Sequence, residues 1–373
     1  SYVQSLAVSS TSLFAGTDGG GVFLSTNNGR SWNPVNTGLP KSGVSSFAVS
    51  GTNLFAGTWG GGVFLSTNNG ISWTQAITGL TNTGVTSLAV SGTNLFAGTG
   101  YGGVFRSTDN GTSWTNDNSG LTNTQVISLA VSGTNLFAGT YGDGVFRSTN
   151  NGRSWKAVNT GLTKNIVLSL AVSGTNLFAG TEGGVFLSTN NGTDWRNVGP
   201  GLTYVVVISL AVSGRNLIAG TYDGAFLSTD NGTSWSQINS DLTKRRVSSF
   251  AASGTVLFAG CEFGGVILSS DNGTNWSEVN SGLTNQIVYS LAVSGTNLFA
   301  GTSDDGVWRR PLSELITSVE SQSSHPSSIV LEQNYPNPFN PSTIIRFTLP
   351  RKSESYDCAW VEGIRIVLLE NNA

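Results

Sequence analysis

The sequence has little of the chemistry that many enzymes and nucleic-acid-binding proteins need. Its 373 residues include one His, two Cys and no Met, and only 10% of them are charged, against roughly 25% in an average soluble protein. The 18 Lys and Arg are outnumbered by 21 Asp and Glu, so the excess positive charge that nucleic-acid binding requires is missing. No apolar run approaches the ~20 residues of a membrane-spanning helix. Cys261 and Cys358 fit neither a disulfide framework nor a metal site.

Glycine and an internal repeat are abundant. A motif similar to Leu-Phe-Ala-Gly recurs at intervals of 40 or 41 residues, beginning at Leu13, Leu54, Leu95, Leu136, Leu177, Leu217, Leu257 and Leu298. One repeat, residues 44–84, divides into four short apolar segments separated by turns rich in Gly and Asn, and helical periodicity is absent. A four-stranded antiparallel unit of this length is typical of a β-propeller blade.

We therefore predict an all-β fold, a β-propeller of four-stranded antiparallel blades over residues 1–311. Eight repeats predict eight blades, seven with four strands and the last, residues 288–309, with three. The outer strand of that last blade is expected to come from residues before Ser1. A seven-bladed ring with a frayed extra repeat is the alternative.

The pattern Ser-x-Asn/Asp-x-Gly-x-x-Trp occurs seven times, between the third and fourth segments of a repeat. The Asn or Asp is expected to accept hydrogen bonds from backbone N–H groups of its own turn, and the Gly to adopt a left-handed conformation. The Trp is expected to bury its ring beside the next blade. The residues to which we assign this structural role are Asn27, Trp32, Asn68, Trp73, Asp109, Trp114, Asn150, Trp155, Asn190, Trp195, Asp230, Trp235, Asp271 and Trp276.

This motif resembles the Asp box of the BNR-repeat propellers, which include sialidases, xyloglucanases, sortilin-like receptors and a photosystem II assembly factor. The resemblance covers residues 1 to about 310, with Asn in place of Asp in four copies. For a sialidase-like enzyme it implies a cluster of arginines, a Tyr/Glu nucleophile pair and an acid/base Asp. The sequence shows no such arrangement.

A pair of carboxylates is the remaining route to hydrolysis. Glu182 and Asp223 occupy equivalent loops of adjacent repeats and are weak catalytic candidates, and Glu262 with Asp304 or Asp305 is placed in the same way. Unpaired surface acids are the alternative interpretation. No cofactor is expected, and no metal, because the Asn-rich turns lack the dense carboxylate set that a hard cation prefers. We expect a protein without catalytic activity, with a glycoside hydrolase or lyase as the alternative.

The repeats differ most at the loops between their second and third segments, which we expect on the same face as the linkers between blades. Candidate ligand-binding residues in these loops are Trp59, Tyr101, Tyr141, Asp143, Tyr222, Glu262, Phe263, Asp304 and Asp305. The linkers add Lys41, Lys164, Tyr204, Lys244, Arg245 and Arg246. Because loops carry function while sheets fix their positions, we predict that this rim binds a glycan or a protein. Unconstrained drift of the loops and a purely structural adhesion role are the alternatives.

The C-terminal part has a different composition. Residues 312–328 are predicted to be a polar linker, and residues 329–350 contain Asn-Tyr-Pro-Asn-Pro-Phe-Asn-Pro-Ser-Thr at 334–343. This string resembles the start of the C-terminal sorting domain of the type IX secretion system of Bacteroidota. The resemblance implies export by that secretion machinery, to the medium or the outer cell surface. Residues 351–373 do not match, and we expect a disordered or frameshifted tail there; a chance match is the alternative.

Overall fold

The structure is a computed structural model that describes residues 2–9, 12–199, 202, 205–213, 216–238 and 245–316. The sorting-like segment and the tail that follows it lie outside the described residues, and so do Tyr204 and Lys244 of the linkers. Within the described part the secondary structure is almost entirely β-strand. The predicted all-β class is confirmed.

Each sequence repeat forms one antiparallel unit, and the units are numbered one to eight along the chain. Their first strands are β1 (Val3–Ser9), β5 (Val44–Ser50), β9 (Val85–Ser91), β12 (Val126–Ser132), β16 (Val167–Ser173), β20 (Val207–Ser213), β24 (Arg246–Ser253) and β28 (Val288–Ser294). Their second strands are β2 (Ser12–Thr17), β6 (Asn53–Thr58), β10 (Asn94–Thr99), β13 (Asn135–Thr140), β17 (Asn176–Thr181), β21 (Asn216–Thr221), β25 (Val256–Glu262) and β29 (Asn297–Thr302).

The third strands are β3 (Gly21–Ser25), β7 (Gly62–Ser66), β11 (Gly103–Ser107), β14 (Val145–Ser148), β18 (Gly184–Ser188), β22 (Gly224–Ser228), β26 (Gly265–Ser269) and β30 (Val307–Pro311). The fourth strands have two residues each: β4 (Asn33–Pro34), β8 (Thr74–Gln75), β15 (Lys156–Ala157), β19 (Arg196–Asn197), β23 (Ser236–Gln237) and β27 (Ser277–Glu278). Strands within a unit pair in sequence order. First strands of successive units lie against one another, and β28 also lies against β1.

The second strands form the centre of each unit and are buried almost completely. Phe55 of β6 has no exposed surface, and a Cβ atom added to Gly57 would lie 2.6 Å from Cγ1 of Val85, which belongs to the first strand of the next unit. The glycine is therefore required by the close approach of that strand. This tight contact sets the spacing between units.

The third unit differs from the prediction of four strands. Its fourth segment is reduced to a bridge between Arg106 and Thr115. In the second unit, Ala76 is buried and its N–H donates to the carbonyl of Val63, whereas the equivalent residue of the third unit is Asp117. The Asp117 carboxylate instead pairs with Arg106 at 3.2 Å, because a charged side chain does not fill an apolar position.

The eighth unit has three strands, as predicted, and contacts the first unit. Ser290 Oγ donates to the carbonyl of Val3 (3.1 Å), and Arg309 Nη1 donates to the carbonyl of Asn28 (3.1 Å). After β30 a short helix, α1 (residues 312–316), replaces the turn and Trp of the other units. Its Leu315 is fully buried in the cluster between units seven and eight. Residues 312–316, which the sequence assigns to a polar linker, thus pack on the last unit.

Candidate functional site

The turns between third and fourth strands define one face of the protein, which we call the turn face. In the third unit, Ser107 Oγ donates to Asp109 Oδ1 (2.8 Å) and accepts from the N–H of Gly111 (2.8 Å). Asp109 Oδ1 also accepts from the N–H of Ser113 (2.9 Å). Gly111 has a positive φ, as expected, and Asn110 before it has a φ of 56°. Asn tolerates this left-handed conformation better than most residues. The polar groups of the turn are thus committed to its own backbone.

Asn and Asp make the same turn with different charge. Asn68 Oδ1 accepts from the N–H of Ser72 at 3.0 Å, as Asp109 does from Ser113. In the sixth unit, hydrogen bonds from the side chain and backbone of Ser234 lower the pKa of Asp230 to about 2. The carboxylate therefore stays ionised well below neutral pH.

The Trp side chains of the turn face pack against the preceding unit, so the expectation that they lie beside the next blade is wrong. Trp73, Trp114 and Trp195 donate their indole N–H to the carbonyls of Val35, Ala76 and Val158, at 2.8, 2.8 and 2.6 Å. Those carbonyls directly follow the fourth strand of the unit before, which is why the ring turns towards it. Five of these Trp residues are only 4–5% exposed: Trp73, Trp114, Trp155, Trp195 and Trp276. Trp32 and Trp235 are partly buried.

The opposite face carries the loops between second and third strands together with the linkers, and we call it the loop face. The two sets of segments are hydrogen-bonded to each other: the N–H of Trp59 donates to the carbonyl of Gly43 and that of Tyr141 to Gln125, both at 3.0 Å. Six aromatic side chains of the described residues are exposed on this face, from 44% for Tyr2 to 78% for Tyr101. They are Tyr2, Trp59, Tyr101, Tyr141, Tyr222 and Phe263. Among the described residues, the other exposed large apolar side chains are Val49 and Ile71.

The acidic candidates of the loop face are in varied surroundings. Asp143 accepts from Thr122 Oγ1 (2.7 Å), Asp304 accepts from Ser303 Oγ (2.9 Å), and Asp305 accepts from Thr284 Oγ1. Glu182 is partly buried, and Asp223 is exposed.

A cavity of about 410 Å³ opens on the loop face between the beginnings of several first strands, and we call it the axial cavity. It is lined by Tyr2, Gln4, Ser45, Trp59, Thr86, Arg246, Ser248, Glu262 and Tyr289. Neither Glu182 nor Asp223 belongs to this lining. The cavity joins three candidate residues, Trp59 and Glu262 of the loops and Arg246 of a linker, with residues at the beginning of first strands.

Several contacts hold the wall of the axial cavity in place. Arg246 lies 3.3 Å from the Glu262 carboxylate, and its guanidinium lies 4.9 Å from the ring centre of Tyr222. Trp59 Nε1 donates to Gln4 Oε1 at 3.2 Å. Burial, and then the negative charge of Glu262, raises the pKa of Tyr289, so its phenol stays protonated at neutral pH. Tyr2 meets Tyr289 edge to face, with ring centres 5.9 Å apart.

A second cavity, of about 130 Å³, lies between the sixth and seventh units and is lined by apolar groups, among them Ile218 and Ala252. Most other units have Phe and Val at these two positions, so the gap follows from two smaller side chains. Cys261 is also buried, and burial raises the pKa of its thiol to about 12. A thiol in that state is a poor nucleophile. Neither feature offers a polar site.

Sequence reasoning missed six residues of the lining: Tyr2, Gln4, Ser45, Thr86, Ser248 and Tyr289. These residues stand at the beginning of first strands, which we treated as scaffold. The available signal was the position directly after the recurrent Val of each first strand. It varies from unit to unit: Gln4, Ser45, Thr86, Ile127, Leu168, Ile208, Ser248 and Tyr289.

No family model matches the chain, and no curated protein matches it either. Solved structures do. YCF48 from Cyanidioschyzon merolae superposes with a TM-score of 0.57 and 14% identity, over 72% of this chain and 94% of that one. A second structure of YCF48, with a bound peptide, also matches.

Two larger proteins match over part of their length. A xyloglucanase from Xanthomonas campestris has a TM-score of 0.52 and 15% identity, over 83% of this chain and 52% of that one. The extracellular domain of a one component system from B. thetaiotaomicron has a TM-score of 0.54 and 19% identity, over 72% of this chain and 38% of that one. At these identities the likeness shows the fold alone. The protein is a β-propeller.

Two further observations apply to the described residues. None of their helices is long and apolar enough to span a membrane. No group of three or more His, Cys, Asp or Glu side chains in the described part is placed to hold a metal ion.

Proposed function

We propose that the protein is an exported recognition module without catalytic activity, which binds a glycan or a protein through its loop face. One observation carries the proposal: all six exposed aromatic side chains of the described residues lie on that face. Leaving large aromatic rings in water is unfavourable unless a partner covers them. Aromatic residues also dominate the energetics of binding surfaces.

We further propose that the eight units close into a ring of eight blades related to the Asp-box propellers. The contacts of Ser290 with Val3 and of Arg309 with Asn28 support this closure. In a seven-bladed ring the eighth unit would not reach the first. The hydrogen bonding of the Ser-x-Asn/Asp-x-Gly turns supports the proposed relationship to the Asp-box propellers.

Export is proposed from the sequence string at residues 334–343, which lies outside the described residues. The match to an extracellular domain is in keeping with an extracellular or cell-surface location. The type IX secretion machinery is the proposed partner in export.

The matching structures include peptide-bound YCF48 and a xyloglucanase, so the experiment measures both ligand binding and glycan hydrolysis. Of the carboxylates considered for hydrolysis, Glu182, Asp223, Asp304 and Asp305 lie outside the lining of the axial cavity. Glu262 lies in the lining but is paired with Arg246 at 3.3 Å. Binding without turnover is therefore favoured over a glycoside hydrolase or lyase, and the exposed aromatics favour it over a purely structural adhesion role.

A binding screen of the full chain tests the proposal, with polysaccharides, glycans and candidate proteins as ligands and a hydrolysis assay alongside. The triple variant Trp59→Ala, Tyr141→Ala and Tyr222→Ala should lose at least tenfold in affinity. A tenfold loss corresponds to ~1.4 kcal/mol of binding free energy, and a single aromatic hot-spot residue contributes more than that. Ile71→Ala removes an exposed apolar side chain from the turn face and should leave binding unchanged.

Three results would overturn the proposal. If the triple variant binds as well as the wild type, or nothing binds, the loop face is not a recognition surface. If turnover is found and the double variant Glu182→Ala, Asp223→Ala abolishes it, the protein is a glycosidase.

A further inference from the structure

The axial cavity has the size and the position of a small-ligand site. Its volume of about 410 Å³ lies within the roughly 300–1,000 Å³ typical of such sites. Three of its nine lining residues are aromatic: Tyr2, Trp59 and Tyr289. It opens on the same face as the exposed aromatics.

The polar lining comes from one side of the propeller. The position after the recurrent Val carries Gln4, Ser45, Thr86, Ser248 and Tyr289 in units one, two, three, seven and eight, and all five line the cavity. The same position carries Ile127, Leu168 and Ile208 in units four to six. The repeated strand is therefore polar where the cavity lies.

The hydroxyl groups of this lining are arranged to accept hydrogen bonds. Ser45 Oγ lies between two carbonyl acceptors, Val85 (2.7 Å) and Gly57 (3.0 Å), and donates its one proton there. Thr86 Oγ1 donates in the same way to Val126 (2.6 Å) or Gly98 (2.9 Å). Ser248 Oγ donates to the carbonyl of Val288 (3.0 Å). Since each hydroxyl has one proton and two lone pairs, its oxygen still accepts from a ligand. Gln4 has its carbonyl oxygen engaged by Trp59 Nε1, so its amide N–H groups are the part it offers.

The two charges of the cavity neutralise each other. Arg246 and Glu262 form an ion pair at 3.3 Å, and the Glu262 side chain is 14% exposed. A charged ligand group entering the cavity would lose hydration and, among the described lining residues, find no unpaired opposite charge. The lining thus suits an uncharged ligand that has both hydroxyl groups and apolar faces.

We infer that the axial cavity binds a terminal, uncharged sugar residue of a glycan. Its hydroxyl groups donate to Ser45, Thr86 and Ser248, and its apolar face packs on an aromatic ring. The exposed aromatics around the opening contact the sugars that follow. This inference rests on the proposed function and narrows its ligand to neutral glycans.

The experiment compares neutral and acidic oligosaccharides on an array with the full chain, followed by titration with the methyl glycoside of the terminal sugar of the best binder. Neutral glycans are expected to bind, and the methyl glycoside to compete for the same site. Tyr289→Ala should weaken glycoside binding at least tenfold, while Ile71→Ala on the turn face leaves it unchanged.

A nearly isosteric charge variant makes the test independent of any loss of packing. Glu262→Gln leaves Arg246 without its charged partner, so binding of acidic glycans should rise at least threefold. The circular dichroism spectrum and melting temperature of each variant check that it is folded.

The outcomes separate this inference from the proposed function. If a glycan binds and the triple loop-face variant loses it, but Tyr289→Ala and Glu262→Gln leave the specificity and affinity as they were, the axial cavity is not the site and the loop face still is. Binding of acidic glycans or peptides alone also overturns the inference and leaves the recognition role. If no ligand binds, both fall.

Discussion

The two faces of the propeller are built from the same repeats and treat their polar and aromatic residues in opposite ways. On the turn face, Ser107 and Asp109 make their hydrogen bonds within their own turn, and Trp114 is 4% exposed. On the loop face, Tyr101 of the same unit is 78% exposed. The turns therefore hold the units together through buried rings, whereas most loop side chains stay exposed and can differ between units.

The largest effect that follows from this comparison concerns Trp114. Trp114→Ala should lower the free energy of unfolding by about 3–5 kcal/mol, since it removes a buried aromatic ring and leaves a cavity between two units. Tyr101→Ala, its control on the loop face, should change stability by less than about 0.5 kcal/mol. Chemical denaturation of both variants measures the difference, and a loss below about 1 kcal/mol for Trp114→Ala would contradict its structural role.

A smaller effect is expected at the hydroxyl group that holds the turn. Ser107→Ala leaves the buried N–H of Gly111 without its acceptor, and an unsatisfied buried donor costs about 1–3 kcal/mol. Thr108 is the next residue and is exposed, so Thr108→Ala should be close to neutral. Equal stability of the two variants in denaturant would show that the turn is held by something other than its side-chain hydrogen bonds.

The fold was predictable because one pattern recurs eight times. In residues 44–84, apolar segments alternate with Gly-rich turns, and this pattern predicts a four-stranded unit. Eight copies of such a unit indicate a β-propeller. The exceptions have local causes. Asp117 replaces an apolar residue and reduces the fourth strand of its unit to a bridge, and Leu315 of α1 is buried where the sequence suggests a linker.

The candidate site was predictable only in part. The exposed aromatics stood out because the loops vary between repeats. The axial cavity did not stand out, because it depends on which units lie next to one another in the folded protein. Tyr2 of the first unit contacts Tyr289 of the eighth, and Trp59 of the second unit donates a hydrogen bond to Gln4 of the first. Direction of packing was equally hidden, since a sequence does not say whether Trp73 turns to the unit before it or the one after.

The smallest effect concerns the charge that distinguishes Asp from Asn on the turn face. Hydrogen bonds from Ser234 lower the pKa of Asp230 from 3.8 to about 2, so the ionised carboxylate stabilises the folded state above pH 3.8 and this contribution is lost as the pH falls towards 2. Asp230→Asn should therefore be slightly less stable at neutral pH and lose less on acidification. Melting temperatures at pH 7 and pH 2.5 measure this, with Asn68→Asp as the reverse change in a unit that now has no charge. If Asn68→Asp adds no acid sensitivity, the two residues are equivalent in the turn, and the charge of Asp230 does not contribute to stability.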